Sequence, residues 1–142
     1  MQISSRFTVA LHIFACIEAF GDEQKLTSDF LAASVNTNPV VVRKILSQLK
    51  KAGLVDIARG TGGVKIAKEL CGITFYDVYE AVEAVEGGSL FRFHEQPNPK
   101  CPVGRSIHTL LDGKLEKIQS AMEEEMKKYT LESIAEDLET VL

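Results

Sequence analysis

No apolar run in this chain approaches the roughly 20 residues needed to cross a bilayer. The longest candidate, Phe7 to Phe20, is broken by His12 and Glu18. A membrane-spanning helix is therefore not expected. The opening Met-Gln-Ile-Ser-Ser-Arg lacks a basic stretch leading into an apolar core and a small-residue cleavage site, so the expected compartment is the cytoplasm. Cysteine is scarce: Cys16, Cys71 and Cys101 stand 55 and 30 positions apart. That spacing is neither a disulfide framework nor a C-x-x-C metal or redox motif, and it predicts free thiols. There is also no phosphate-binding loop, metal motif or paired-carboxylate constellation. Ser106 and His108 are two apart and fall on nearly opposite faces of a helix, which separates a nucleophile from its base. The consecutive Glu123, Glu124 and Glu125 point in different directions, as on a solvated surface. An enzyme is not expected.

What is present is an ordinary globular composition, 142 residues with 45% hydrophobic and 25% charged, enough for one domain or one domain with an extension. The net charge of −4 argues at first against a polyanionic partner. Its distribution does not. Residues 1–68 carry nine Lys and Arg against five Asp and Glu, whereas residues 69–142 carry seven against fifteen. The first segment is basic and the second strongly acidic, so one meets a polyanion and the other does something else.

The apolar spacing predicts a first helix from Ser4 or Ser5, its caps, to about Gly21, with Phe7, Leu11, Phe14 and Ile17 on one face. Thr27 caps a short second helix over Ser28 to Ala33. Asn38 and Pro39 open a third that runs to Ala52 and stops at Gly53. The period then changes to two in Val55 to Ala58 and Val64 to Ala67, on either side of Arg59-Gly60-Thr61-Gly62-Gly63. Three helices and such a hairpin make a winged helix-turn-helix, occupying residues 1–70. Thr74 caps a fourth helix to about Val85. A proline-bearing loop covers Ser89 to Pro102 and completes a linking and sensor segment, 71–101. A long helix runs from Pro102 or Val103 to about Lys128, roughly 40 Å at 1.5 Å per residue. Its stripe of Ile107, Leu111, Leu115, Ile118, Met122 and Met126, extended by Tyr129, outreaches a small winged domain and is expected to pair with a second chain. Thr130 caps a last helix within the dimerisation segment 102–142. The expected class is mainly α (α+β), a winged helix-turn-helix with a two-stranded wing and a long dimerisation helix.

On the third helix, at about 100° per residue, Val42, Ile45, Leu46 and Leu49 gather on one side, while Val40, Arg43, Lys44, Ser47, Lys50 and Lys51 gather on the other. The second face contains no acid, although a helix supported by ion pairs intersperses Glu or Asp at i+4. Two uses fit it: solvation of a core helix, or contact with DNA phosphates and base edges. The hairpin favours DNA. Arg59 beside Gly60, Gly62 and Gly63 supplies a long cation on a backbone free to approach closely, suited to a minor groove.

Ser34 to Val64, including N-T-N-P-V-V-V-R-K-I-L-S-Q-L and R-G-T-G-G-V, resembles the Rrf2 family of bacterial winged-helix repressors. The family includes the regulators IscR, NsrR and CymR. Ile3 to Phe7, Ile73 to Val78 and Pro99 to Val103 match it as well, and the chain looks most like the small YwnA-like members. The resemblance implies a cytoplasmic homodimeric transcriptional regulator whose long helix crosses to its partner. It places Asn38, Pro39, Val40, Arg43, Lys44 and Ser47 on DNA, with Arg59 at the wing tip beside Gly60, Thr61 and Gly62. Ser4, Ser5 and Arg6 fall on phosphate. Arg43 stands where some members have an acid that reads cytosine, and an arginine favours guanine O6 and N7 instead.

Cluster-binding members carry three cysteines in the loop before the long helix, because an iron–sulfur cluster needs several thiolates. Here that loop has only Cys101, flanked at seven residues by His94 and His108. No iron–sulfur cofactor is expected. Cys101 fits either a redox thiol, activated by the start of the long helix, or a small apolar contact. Cys16 is expected in the core, and His12 at its boundary. A different class of function also fits the acidic second half: a redox or effector receptor that acts through protein contacts without operator binding.

Overall fold

The computed structural model describes residues 3–58 and 63–142. It contains six α-helices and one two-stranded sheet among the described residues. Helix α1 spans Arg6–Phe20 and buries Ala10, Ile13, Phe14, Cys16 and Ile17. Neither expected serine caps it in the usual way. Ser5 already has helical dihedrals and makes no side-chain cap bond, while the Ser4 hydroxyl accepts from the Arg6 amide at 3.2 Å. The entry is fixed from across the fold instead: the Ser4 amide donates to the Ala84 carbonyl at 2.8 Å.

Helix α2, Ser28–Val35, starts where Thr27 Oγ1 accepts from the Phe30 amide. It runs two residues past the expected end because Asn36 takes the left-handed conformation, φ 64°, that closes it. Helix α3 is Pro39–Lys51, with Asn38 Oδ1 accepting from the Val40 amide at 2.8 Å and Pro39 in the first turn. Gly53, at φ 78°, ends it. The Gly53 amide donates to the Lys50 carbonyl and the Leu54 amide to that of Leu49, a paired closure that consumes two orphan carbonyls.

Strands β1, Val55–Ile57, and β2, Val64–Ile66, pair antiparallel with Val55 opposite Ile66 and Ile57 opposite Val64. The base of the hairpin is anchored on the chain before α2, where the Val64 amide donates to the Leu26 carbonyl at 3.2 Å. A Cβ at Gly63 would lie 2.7 Å from the Leu26 nitrogen, so glycine permits that approach.

Helix α4, Phe75–Ala81, has a reciprocal capping box between Thr74 and Asp77. It stops short of the expected Val85. Val82 leaves the helical region and Glu83 turns to φ 51°, which lets Val82, Ala84 and Val85 all enter the core. After the irregular segment, a 3-10 turn at Gly104–Ser106 precedes α5, Ile107–Met126. The long helix therefore has 20 residues and a length of about 30 Å, not 40 Å. Gly104 is pressed on the Asn98 carbonyl, where a Cβ would sit at 2.6 Å. The contact keeps the chain turning before the α-helix begins.

Helix α6, Leu131–Leu138, packs back on α1. A bridge of Thr74 to Thr130, with the Phe75 amide on the Tyr129 carbonyl and the Leu131 amide on that of Ile73, ties its start to the start of α4. A single buried cluster consequently joins Ile13, Phe14, Leu31, Ile45 and Leu49 to Ile73, Val78, Val82 and Leu131. Burial of that cluster makes a rigid support for α3.

Candidate nucleic-acid interface

On α3, Val42, Ile45 and Leu49 are fully buried and Leu46 nearly so, whereas Val40, Arg43, Lys44, Ser47, Lys50 and Lys51 are exposed. The four hydrophobic anchors fix the rotation of the helix, and that rotation turns the cations outward. The ion pairs among the described residues lie between Glu86 and Lys128, Arg92 with Glu86, Lys127 with Glu124 and Lys128 with Glu125, and His108 Nδ1 lies 3.0 Å from Asp112 Oδ1 in the same stretch. Arg43, Lys44, Lys50 and Lys51 have no acidic partner in that set. Their charge is turned to solvent.

Arg43, Ser47 and Lys50 also line a hollow of about 420 Å³ whose other walls are Thr27 and Ser28 at the start of α2 and Ile57, Ala58 and Val64 of the hairpin. Helix, helix start and hairpin base thus converge on one concave surface. Thr27 and Ser28 were not anticipated at the site. Their capping signal was visible, but their place beside Arg43 depends on the angle between α2 and α3. Asn38 stands at the N-terminus of α3, outside this hollow, its side-chain Oδ1 accepting from the Val40 amide. The expected wing-tip residues Arg59, Gly60, Thr61 and Gly62 lie outside the described residues.

The N-terminal trio is placed differently. Arg6, expected on phosphate, directs Nε to the Val82 carbonyl at 3.0 Å and Nη2 to the Glu83 carbonyl at 2.8 Å. Its guanidinium closes the end of α4, where unpaired carbonyls attract a cation. Ser4 is half-buried beneath it and Ser5 is exposed.

The long helix has no buried residue of its own. Its expected stripe divides: Met122 and Met126 pack on the chain's core, Ile107, Leu111 and Leu115 are half-buried, and Ile118 is 54% exposed. Leu110 and Val103, not expected in the stripe, are equally open. Tyr79 fixes the helix to α4 by donating to Glu123 Oε2 at 3.4 Å. Burial and the Glu123 carboxylate push its phenol up to about 12.

Cys101 is exposed and lies six residues before α5, outside the first turn where a helix dipole is felt. This corrects its expected place at the helix start. Cys16 is buried and donates to Ser34 Oγ, which also meets His12 Nε2. Cys71 is exposed beside Glu69.

A family model described as Rrf2, iron-dependent transcriptional regulator, matches residues 3–137. The chain belongs to the Rrf2 family. YwnA of Bacillus subtilis (strain 168), provisionally named an HTH-type transcriptional regulator, is 43% identical over 137 residues, covering 96% of this chain and 99% of that protein. A solved structure provisionally described as a DNA-binding protein is 41% identical, with TM-score 0.72, and covers 92% of this chain and 98% of that one. The fold is shared with CymR, the global cysteine regulator of B. subtilis, at 24% identity and TM-score 0.67 over 96% and 97% of the two chains. This Rrf2 protein is thus a transcriptional regulator, built as a mostly helical winged helix with a two-stranded wing. No helix among its described residues is long and apolar enough to cross a membrane.

The segment before α5 offers one thiol, that of Cys101. The buried Cys16 thiol is committed to Ser34. Among the described residues no three His, Cys, Asp or Glu side chains converge as a metal site requires.

Proposed function

We propose that this Rrf2 regulator is a cytoplasmic homodimeric repressor that binds a pseudo-palindromic DNA operator. The observation that carries this reading is the face of α3, where Arg43, Lys44, Lys50 and Lys51 stand exposed, free of acids and outside the ion pairs of the described residues. In a dimer joined along α5, two such faces enter successive major grooves about 34 Å apart, or a multiple of that. Lys50 and Lys51 meet phosphate, while Arg43 reaches base edges and prefers guanine. The signal that releases the operator is a redox or small-molecule one, and Cys101, exposed as Cys71 also is, is its candidate thiol in the segment before α5.

The test is equilibrium binding to the regulator's own upstream DNA, by fluorescence anisotropy against a scrambled duplex. A specific complex weakening steeply with salt is expected, and Arg43→Ala should reduce specific affinity by about tenfold or more, the cost of a lost bidentate base contact. Equal affinity for the two duplexes would sink the operator reading and favour a receptor that works through protein contacts.

A further inference from the structure

Eight large hydrophobic side chains are conspicuously exposed among the described residues. Six of them belong to the second half, from Val103 to Leu142. The two in the winged domain, Val40 at 61% and Val41 at 40% exposure, are neighbours in the first turn of α3. The chain gains nothing in helix stability from them, since β-branched valine forms helix less readily than alanine, lysine or glutamate. Nor do they complete the core, because the third valine of the run, Val42, is the one that is buried.

Their positions differ. With Arg43 at 0°, Val40 falls at about 60° and Ser47 at about 40°, in the middle of the cationic face, whereas Val41 falls at about 160°, on its flank. Val40 is therefore an apolar branched group in the first turn of α3, on the same face as Arg43 and Lys44 one turn further along, at the end that helix-turn-helix proteins direct to base edges. In the major groove, thymine offers its C5 methyl as an apolar feature that distinguishes it from the other bases.

We infer that Val40 reads a thymine methyl in the operator, making it a specificity-determining residue beside Arg43. The inference rests on the DNA-binding reading above. It also has a positional consequence. Val40 and Arg43 are one turn apart, about 4.5 Å along the axis, and base pairs rise about 3.4 Å, so the thymine lies within about two base pairs of the base that Arg43 reads.

The experiment uses a duplex selected from a random pool by the full-length protein and then resynthesised with deoxyuridine, which lacks only the C5 methyl, replacing one thymine at a time in both half-sites. The expected result is one thymine whose replacement weakens binding roughly fourfold per half-site, the factor associated with burying one methylene-sized group. Val40→Ala should bind thymine and deoxyuridine duplexes equally. Val41→Ala should keep the discrimination, and both variants should keep the wild-type melting temperature, since neither side chain is in the core. Specific binding with no deoxyuridine effect, or an effect that survives Val40→Ala, overturns the thymine reading and leaves the operator reading standing. Selection of no duplex at all overturns both.

Discussion

Arg6 shows how far a single residue can depart from what its neighbours in sequence suggest. Between two serines and an apolar helix it reads as a cation at a phosphate-binding helix start, yet its guanidinium is spent on the carbonyls of Val82 and Glu83. No periodicity could reveal partners 76 and 77 positions away. The residues of α3 were legible for the opposite reason. Helical rotation alone separates Val42, Ile45, Leu46 and Leu49 from Arg43, Lys44, Ser47 and Lys50, and the burial follows that division. Arg6→Ala leaves two carbonyls without their charged donor at the left-handed turn of Glu83. We expect a loss of about 1.5 to 3 kcal/mol in unfolding free energy, measured by urea denaturation. Arg6→Lys should recover only part of it, because an ammonium cannot present two donors in a fixed fork. A variant as stable as the wild type would return Arg6 to the list of free cations.

At the scale of elements, three expected side-chain caps form, while neither serine caps α1 and Thr130 makes no side-chain cap bond at α6. Thr27, Asn38 and Thr74 each cap the helix they were expected to cap, because a side-chain oxygen two or three residues from its amide is a local interaction. The end of α4 and the start of α5 were misplaced by several residues. The first is decided by a tertiary contact, the burial of Val82, Ala84 and Val85, and the second goes with a close turn of the preceding loop, where Gly104 lies against Asn98. The apolar stripe of α5 was legible as a stripe. Its division between Met122 and Met126 on the chain's own core and Ile118 facing outward required the position of α4. That division makes a specific prediction. Ile118→Glu places a carboxylate in the middle of the outward face without disturbing the core, so sedimentation should report monomers with a wild-type melting profile. Met126→Ala, in contrast, should lower the melting temperature by several degrees through lost packing. A dimeric Ile118→Glu protein would remove α5 from the interface.

At the scale of the whole molecule, a net charge of −4 conceals a basic winged half and an acidic second half, which holds the Lys and Arg ion pairs of the described residues. The acids after residue 69 would be repelled by a coating of polyanion, so only one orientation on DNA is favoured. This arrangement lets a salt titration count subunits. Each phosphate contact releases counterions, and the slope of log affinity against log salt is about −0.9 per contact on duplex DNA. If Lys50 meets one phosphate in each chain of a dimer, Lys50→Ala removes two contacts at once. The slope should become shallower by about 1.8, with affinity falling about equally on every sequence. A change of about 0.9 would signify one α3 per complex, and no change would take Lys50 off the phosphate backbone. Because Glu124 stands on α5 and pairs with Lys127 there, Glu124→Gln should leave that slope unaltered; a shift there would mean that the second half also faces the duplex.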